Sequence, residues 1–402
     1  VRTPDADADV GHTAGQATVV VVATVAIGLG AAIGFLYGYL AVALRSDLGL
    51  SRGQVGLLVG LYFGSTGLGS IGGGVIVDRM GARLAVVANL VTVSAVAGLI
   101  VLLDTYLVLL VASVVAGLAY SLGNAGTNMA IGVAVAPANR GLALTIKTGG
   151  VPAMATIAAL TAPWAAARIG WQPIIGVVGV LAGLVACGAM LLLPTDRPQR
   201  ATSRSGVLPS GFYWFPVASF LLVAGSQPLF SWSVSWLEEV HDTSVGAAGA
   251  LSAVATASGV VGMVLVGRRS DVLGSSRRTT VIAVMAAVCS VGTVGLAIGA
   301  RVTLASGVVA LSVATATQLG AIGVMHAAVV DAAPQAIGRG SGVTMTGYYL
   351  GALISPTAFG WLVDITGDYG AAWAACALAL IGSALAFSRA GKRPLPAEST
   401  VW

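Results

Sequence analysis

The chain has 402 residues, 57% of them hydrophobic and only 9% charged, with a mean hydropathy of +0.93. A soluble domain carries about 25% charged residues, so a water-soluble fold of this size is excluded, and disorder with it. The 55 glycines are about twice the usual share, and small residues let spanning helices approach closely. A polytopic membrane protein follows. The net charge of +5 does not point to nucleic acid, because the arginines are scattered among short loops. Cys187, Cys289 and Cys376 each sit inside an apolar run, with neither metal-ligand spacing nor a disulfide framework.

Residues 1–16 form a polar tail. Six apolar runs follow, at Ala17–Leu44, Val55–Val77, Leu84–Leu103, Tyr106–Ala136, Leu142–Ala167 and Pro173–Leu193. The first is too long for a signal-peptide core and has no basic flank before it, so it is read as a retained span. A polar stretch over 194–211, with Asp196, Arg197, Arg200 and Arg204, reads as a linker. Six more runs come after it: Phe212–Leu237, Val245–Val266, Thr279–Ala300, Val302–Val330, Gly342–Val363 and Ala371–Phe387. The predicted organisation is a tail, a six-helix bundle over 17–193, the linker, a second six-helix bundle over 212–388, and a tail over 389–402. Of the 20 Lys and Arg residues, fifteen fall on the side of the N-terminus and four, Arg45, Arg52, Arg168 and Arg301, on the other. Basic residues mark cytoplasmic loops. Both termini are therefore expected in the cytoplasm.

The two halves repeat each other weakly. Gly74, Asp78 and Gly81 recur as Gly267, Asp271 and Gly274, and Arg140-Gly141 recurs as Arg339-Gly340. A duplicated six-helix unit is a transporter arrangement, with the substrate held between the halves near the midplane. At these residues the chain resembles the major facilitator superfamily, whose loop motif between helices two and three is similar to GGGVIVDRMGAR, Gly72 to Arg83. The resemblance implies two six-helix bundles rocking around a central cavity. It also assigns Asp78, Arg79 and Arg83 to a charge cluster that latches the cytoplasmic side. Arg140, Asp271, Asp331 and Arg339, at equivalent helix ends, join them as gating candidates. The second copy departs from the motif, with Val272 where the first has Arg79. GNAGTNMAI (123–131), IKTGGVP (146–152) and YYLGALISP (348–356) resemble segments of the cyanate and nitroimidazole transporter-like subgroup.

All fifteen carboxylates fall in loops, tails or helix ends, so no intramembrane acid is available as a proton relay. His12, His241 and His326 are widely separated, which disfavours a metal or acid–base enzyme. Lys147 lies about six residues, or roughly 9 Å, into the fifth span. It either snorkels to the interface or binds an anionic substrate from the cavity. His326 lies at similar depth in the other half, as a packed histidine or as an intramembrane proton site. Tyr120, Asn124 and Asn128 form one polar stripe, serving helix packing or ligand contact. Gln227, Gln318, Tyr348 and Tyr349 are further cavity candidates. An interfacial aromatic belt accounts for Trp232 and Trp236. Pro152, Pro163 and Pro356 are placed to kink helices five and eleven.

The sequence thus reads as an all-α membrane protein of twelve helices in the inner (plasma) membrane. It is expected to move a small organic anion by uniport, exchange or proton-linked symport. Its expected partners are the lipid bilayer, that anion and, in the symport case, protons; it acts as a monomer without cofactor or enzymatic activity. An exporter of amphipathic drugs is one alternative, although KTGGVPAMATIAAL (147–160) fits the drug antiporters' proline-glycine signature poorly. A receptor built on a transporter fold is the other, disfavoured by the short tails. Single cysteines replacing Ser203 and Arg389, in a cysteine-free background, should react with membrane-impermeant label only from the cytoplasmic side. Labelling of both from outside intact cells would reverse the orientation.

Overall fold

The structure, a computed structural model, describes residues 5–136, 139–194, 207–298 and 303–390, with side chains from residue 15 onward. Arg2, the His12 side chain, Asp196, Arg197, Arg200, Arg204, Arg301 and most of the linker and C-terminal tail lie outside the described residues. The first half contains α1 (Asp5–Tyr39), α2 (Ala41–Leu48), α3 (Arg52–Met80), α4 (Ala82–Leu102), α5 (Tyr106–Ala134), α6 (Arg140–Ile169) and α7 (Gln172–Leu192). The second contains α8 (Trp214–Ser226), α9 (Pro228–Ser231), α10 (Ser233–His241), α11 (Val245–Leu273), α12 (Arg278–Ala297), α13 (Leu304–Ala332), α14 (Ile337–Thr366) and α15 (Tyr369–Ala390). We call the side carrying the start of α1 and the end of α15 the proximal face, and the other the distal face.

Ten of these helices are long and apolar enough to cross a bilayer, and the bent run α8–α10 makes an eleventh. The twelfth, α14, has 30 residues, about 45 Å of helix, with Gly, Ser and Thr diluting its apolar character. It packs along α3 and α8, so a polar-flecked surface is tolerated where protein rather than lipid covers it. The chain is therefore an all-α membrane protein with two six-helix bundles. The internal repeat extends to backbone geometry. Gly81 and Gly274 end the two copies of the loop motif at φ 85, ψ 160 and φ 84, ψ 164. This positive-φ conformation is open to glycine and strained for other residues.

The seventh span breaks where the sequence reading had a single run. It bends by 59° between Ser231 and Ser233. Trp232 leaves the helical backbone there at φ −126, ψ 0, and Gly38 of α1 lies so close that a Cβ there would stand 2.7 Å from Ser231 Cα. The bend corrects the expected aromatic belt. Trp232 and Trp236 are fully buried; the indole N–H of Trp232 donates to Pro356 O at 3.1 Å, whereas that of Trp236 has no partner among the described residues. Phe359 stacks on Trp232, and Trp373 meets Trp236 edge-on. By contrast α6 and α14 continue unbroken through Pro152, Pro163 and Pro356.

The two halves meet along α3 with α14 and α6 with α11. Contact is closest toward the distal face. A Cβ on Gly56 would lie 2.2 Å from Pro356 O, one on Gly60 2.2 Å from Leu353 O, and one on Gly249 2.5 Å from Ala159 O. Toward the proximal face, Gly72 and Gly74 of α3, Gly338 and Gly342 of α14, Gly141 of α6 and Gly267 of α11 have no neighbour within 4 Å of such an atom. The halves are sealed distally and diverge proximally. Overpacking costs about 1–3 kcal/mol, so Gly56→Ala with Gly60→Ala should shift the balance of states toward distal opening by roughly 5- to 150-fold. Spin-label distances between the distal ends of α3 and α14 should lengthen; an unchanged distribution would refute the seam.

Candidate functional site

Lys147 is only 3% exposed, deep in α6. Its Nζ donates to Asn124 Oδ1 at 2.6 Å and to Asn128 Oδ1 at 3.0 Å, both on α5. The polar stripe of the fourth span is thus turned onto the lysine of the fifth. An ammonium has three N–H donors, so one is left beyond the two amides. With both Oδ1 atoms on the lysine, the two Nδ2 groups point away from it as further donors. No carboxylate is within salt-bridge distance of Lys147 among the described residues. The cation is solvated by amide dipoles and keeps its charge uncancelled.

His326, on α13 of the other half and six residues before its end, lies within electrostatic reach of Lys147 and is exposed. The two basic groups therefore approach each other across the two halves. Aromatic rings lie on their distal side. Tyr62 and Tyr120 have ring centroids 6.0 Å apart, Tyr348 and Tyr349 pack edge-on at 5.1 Å, and Tyr120 lies within electrostatic reach of both. Tyr62 Oη donates to Gly30 O at 2.7 Å, which pins α3 to α1. Phe35 joins the halves by meeting Phe63 at 5.8 Å and Phe230 at 6.0 Å. Gln227 is buried beside the break in the seventh span, its Nε2 unpartnered among the described residues; Gln318 is likewise buried with Oε1 unpartnered.

Above the roof, charges cross the seam. Arg45 and Arg52 of the first half both pair with Glu239 of the second, Arg45 at 2.6 Å. Arg52 also reaches Asp364 at 3.3 Å and Tyr369 Oη at 3.4 Å. Asp364 accepts from the backbone N–H of Arg52 and of Gly53, the latter at 2.9 Å. It therefore caps the first turn of α3 from α14 and meets the positive end of that helix dipole. Sequence reading missed this cluster. Its residues were counted only as loop charges, since partners 187 to 312 positions apart leave no local pattern.

The family model described as Major Facilitator Superfamily matches residues 20–356. The chain belongs to the Major Facilitator Superfamily. It is 29% identical over 260 residues to two proteins of Mycobacterium tuberculosis, the uncharacterized MFS-type transporters MT3072 (strain CDC 1551 / Oshkosh) and Rv2994 (strain ATCC 25618 / H37Rv). Each match covers 60% of this chain and 55% of the relative, so the chain spans about half the length of these relatives. In fold it is similar to a bacterial homologue of the human lysosomal transporter Spinster, solved inward-facing in occupied and unoccupied conformations. The TM-score is 0.72 in both cases, at 17% and 16% identity, over 94% of this chain and 95% of that one.

The superfamily's loop-motif residues stand apart on the proximal face. Asp78 is half-buried and Arg79 exposed, neither with an ion pair among the described residues. Arg83 Nε donates to Leu193 O at 2.7 Å and Arg140 Nε to Val135 O at 2.9 Å, so each caps a helix C-terminus, where cations are favoured. In the second half, Asp271 and Asp331 share Arg278, at 3.1 and 2.7 Å; Arg339 is exposed. Arg278 was not singled out in the sequence. The distal cluster should hold the seam shut in this state. Partly exposed pairs contribute at most about 1 kcal/mol each, so Asp364→Asn and Arg52→Gln should each increase distal opening several-fold, and the double variant should gain little over Arg52→Gln, which loses the Asp364 pair as well as the Glu239 pair. Cysteine accessibility in the distal roof measures this; additive effects would show the two groups act independently.

Proposed function

We propose that this chain is a secondary transporter that moves a small organic anion by alternating access. On this reading the proximal face is cytoplasmic, in line with the count of basic residues, and the state described is open to the cytoplasm. The observation that carries the reading is the Lys147 ammonium, held inside a spanning helix by two carboxamide oxygens, with no acid beside it among the described residues. A lysine within a spanning helix is costly, by up to about 2.5–3.5 kcal/mol at the centre. An anion that accepts from the remaining Lys147 donor and from the outward Nδ2 groups would offset that cost. His326 would supply the opposing contact from the second half.

The same arrangement links binding to closure. Lys147 and His326 stand on opposite halves, and an anion that accepts hydrogen bonds from both draws the halves together. A ligand can shift a conformational balance only through such differential contacts. The aromatic roof favours an anion with an apolar body over an inorganic ion. Asp78, Arg79, Arg83, Arg140 and Arg339 would then be free to form the cytoplasmic latch in the opposite state, with Asp271 and Asp331 exchanging partners around Arg278.

A charge-assisted hydrogen bond contributes about 1.5–3 kcal/mol, so Lys147→Ala should weaken anion binding by roughly ten- to a hundredfold while the protein stays folded. The probe is the tightest-binding carboxylate from a thermal-shift panel of small organic anions on purified protein. Asn124→Asp should weaken it as well, because the new carboxylate neutralises the ammonium internally. Unchanged affinity in both variants, or a cation as the ligand that stabilises the protein, would defeat the anion reading.

A further inference from the structure

The proximal end of the second half carries a feature that transport does not use. Helix α13 packs along both α11 and α12, but α11 and α12 scarcely touch each other. Between them runs a groove of about 450 Å³. Its walls are apolar, formed by Leu265 and Leu273 of α11 and by Val281, Val284 and Met285 of α12. Leu265 is 59% and Val284 49% exposed, and α12 makes its contacts within the second half. The groove therefore opens outward to the bilayer, away from the central cavity. Arg269 and Arg277 line its proximal end. Both are exposed and have no ion pair among the described residues. The neighbouring carboxylates, Asp271 and Asp331, are already taken by Arg278.

An apolar channel at acyl-chain depth, ending in two unspent guanidiniums at headgroup depth, matches one kind of occupant. We propose that this groove binds an anionic phospholipid, with an acyl chain between α11 and α12 and the phosphate between Arg269 and Arg277. Guanidinium forks suit phosphate oxygens, and neutral-headgroup lipids lack the net charge that two cations attract. Each basic residue near the membrane surface contributes about fivefold in affinity for anionic lipid. The pair should therefore give a preference of roughly 30-fold for phosphatidylglycerol over phosphatidylcholine.

The test is native mass spectrometry of the full chain released from nanodiscs of mixed phosphatidylcholine and phosphatidylglycerol. The wild type should retain phosphatidylglycerol preferentially. Arg269→Gln with Arg277→Gln should abolish the preference, and Arg268→Gln, whose side chain does not line the groove, should keep it. Val284→Trp leaves both arginines in place but fills the channel, and should release the same lipid. Equal retention of the two lipids by the wild type overturns the proposal. So does a preference that survives both the double arginine change and the groove-filling tryptophan.

Discussion

The two halves of this structure depend on one close contact, the distal crossing of α3 and α14. Gly56 and Gly60 bring backbone against backbone there, with no room for a methyl group. The same crossing lets Asp364 reach the first N–H groups of α3 and the guanidinium of Arg52. Packing and electrostatics therefore depend on the same approach. If the helices separate slightly, the cap, the ion pairs and the close contact weaken together. That is the behaviour needed of a gate with two discrete arrangements, because a packed interface yields cooperatively rather than by degrees.

Below that seam the central problem is a charge. Lys147 is solvated by Asn124 and Asn128, and a pair of amide dipoles lowers the cost of burial without cancelling the charge. An aspartate in their place would have made a neutral, self-satisfied pair with little need of a ligand. On the proposed reading, the arrangement holds a binding site that is incomplete by one anion. The roof of tyrosines and phenylalanines joins this site to the distal seam, since Phe35 touches both Phe63 of its own half and Phe230 of the other.

The proximal face is built differently. Arg83 and Arg140 spend their Nε donors on helix-end carbonyls, while Arg278 gathers the two second-half carboxylates. Among the described residues, each bundle is thus stapled internally on this face. The spacing between α11 and α12 leaves surface that lipid must cover, so the groove and its arginines belong to the same design of two separately braced units.

The sequence by itself determined the membrane class, the helix count, the repeat and the family. Each rests on composition or on local patterns: apolar runs of spanning length, a glycine motif at a regular offset, and arginines sorted by side. Lys147 and the Asn124–Asn128 stripe were also legible, because a charge or polar row within lipid stands out against its neighbours. Only the tertiary structure decided how they combine. It put the stripe on the lysine, set His326 opposite, bent the seventh span at Trp232 and buried the two tryptophans assigned to the interface. It also brought together across the seam Arg45, Arg52, Glu239 and Asp364, residues indistinguishable in sequence from ordinary loop charges. The physical reason is separation along the chain. Spans are specified by neighbours a few residues apart, but a seam between halves is specified by backbone approach and charge pairing over nearly the whole length of the protein.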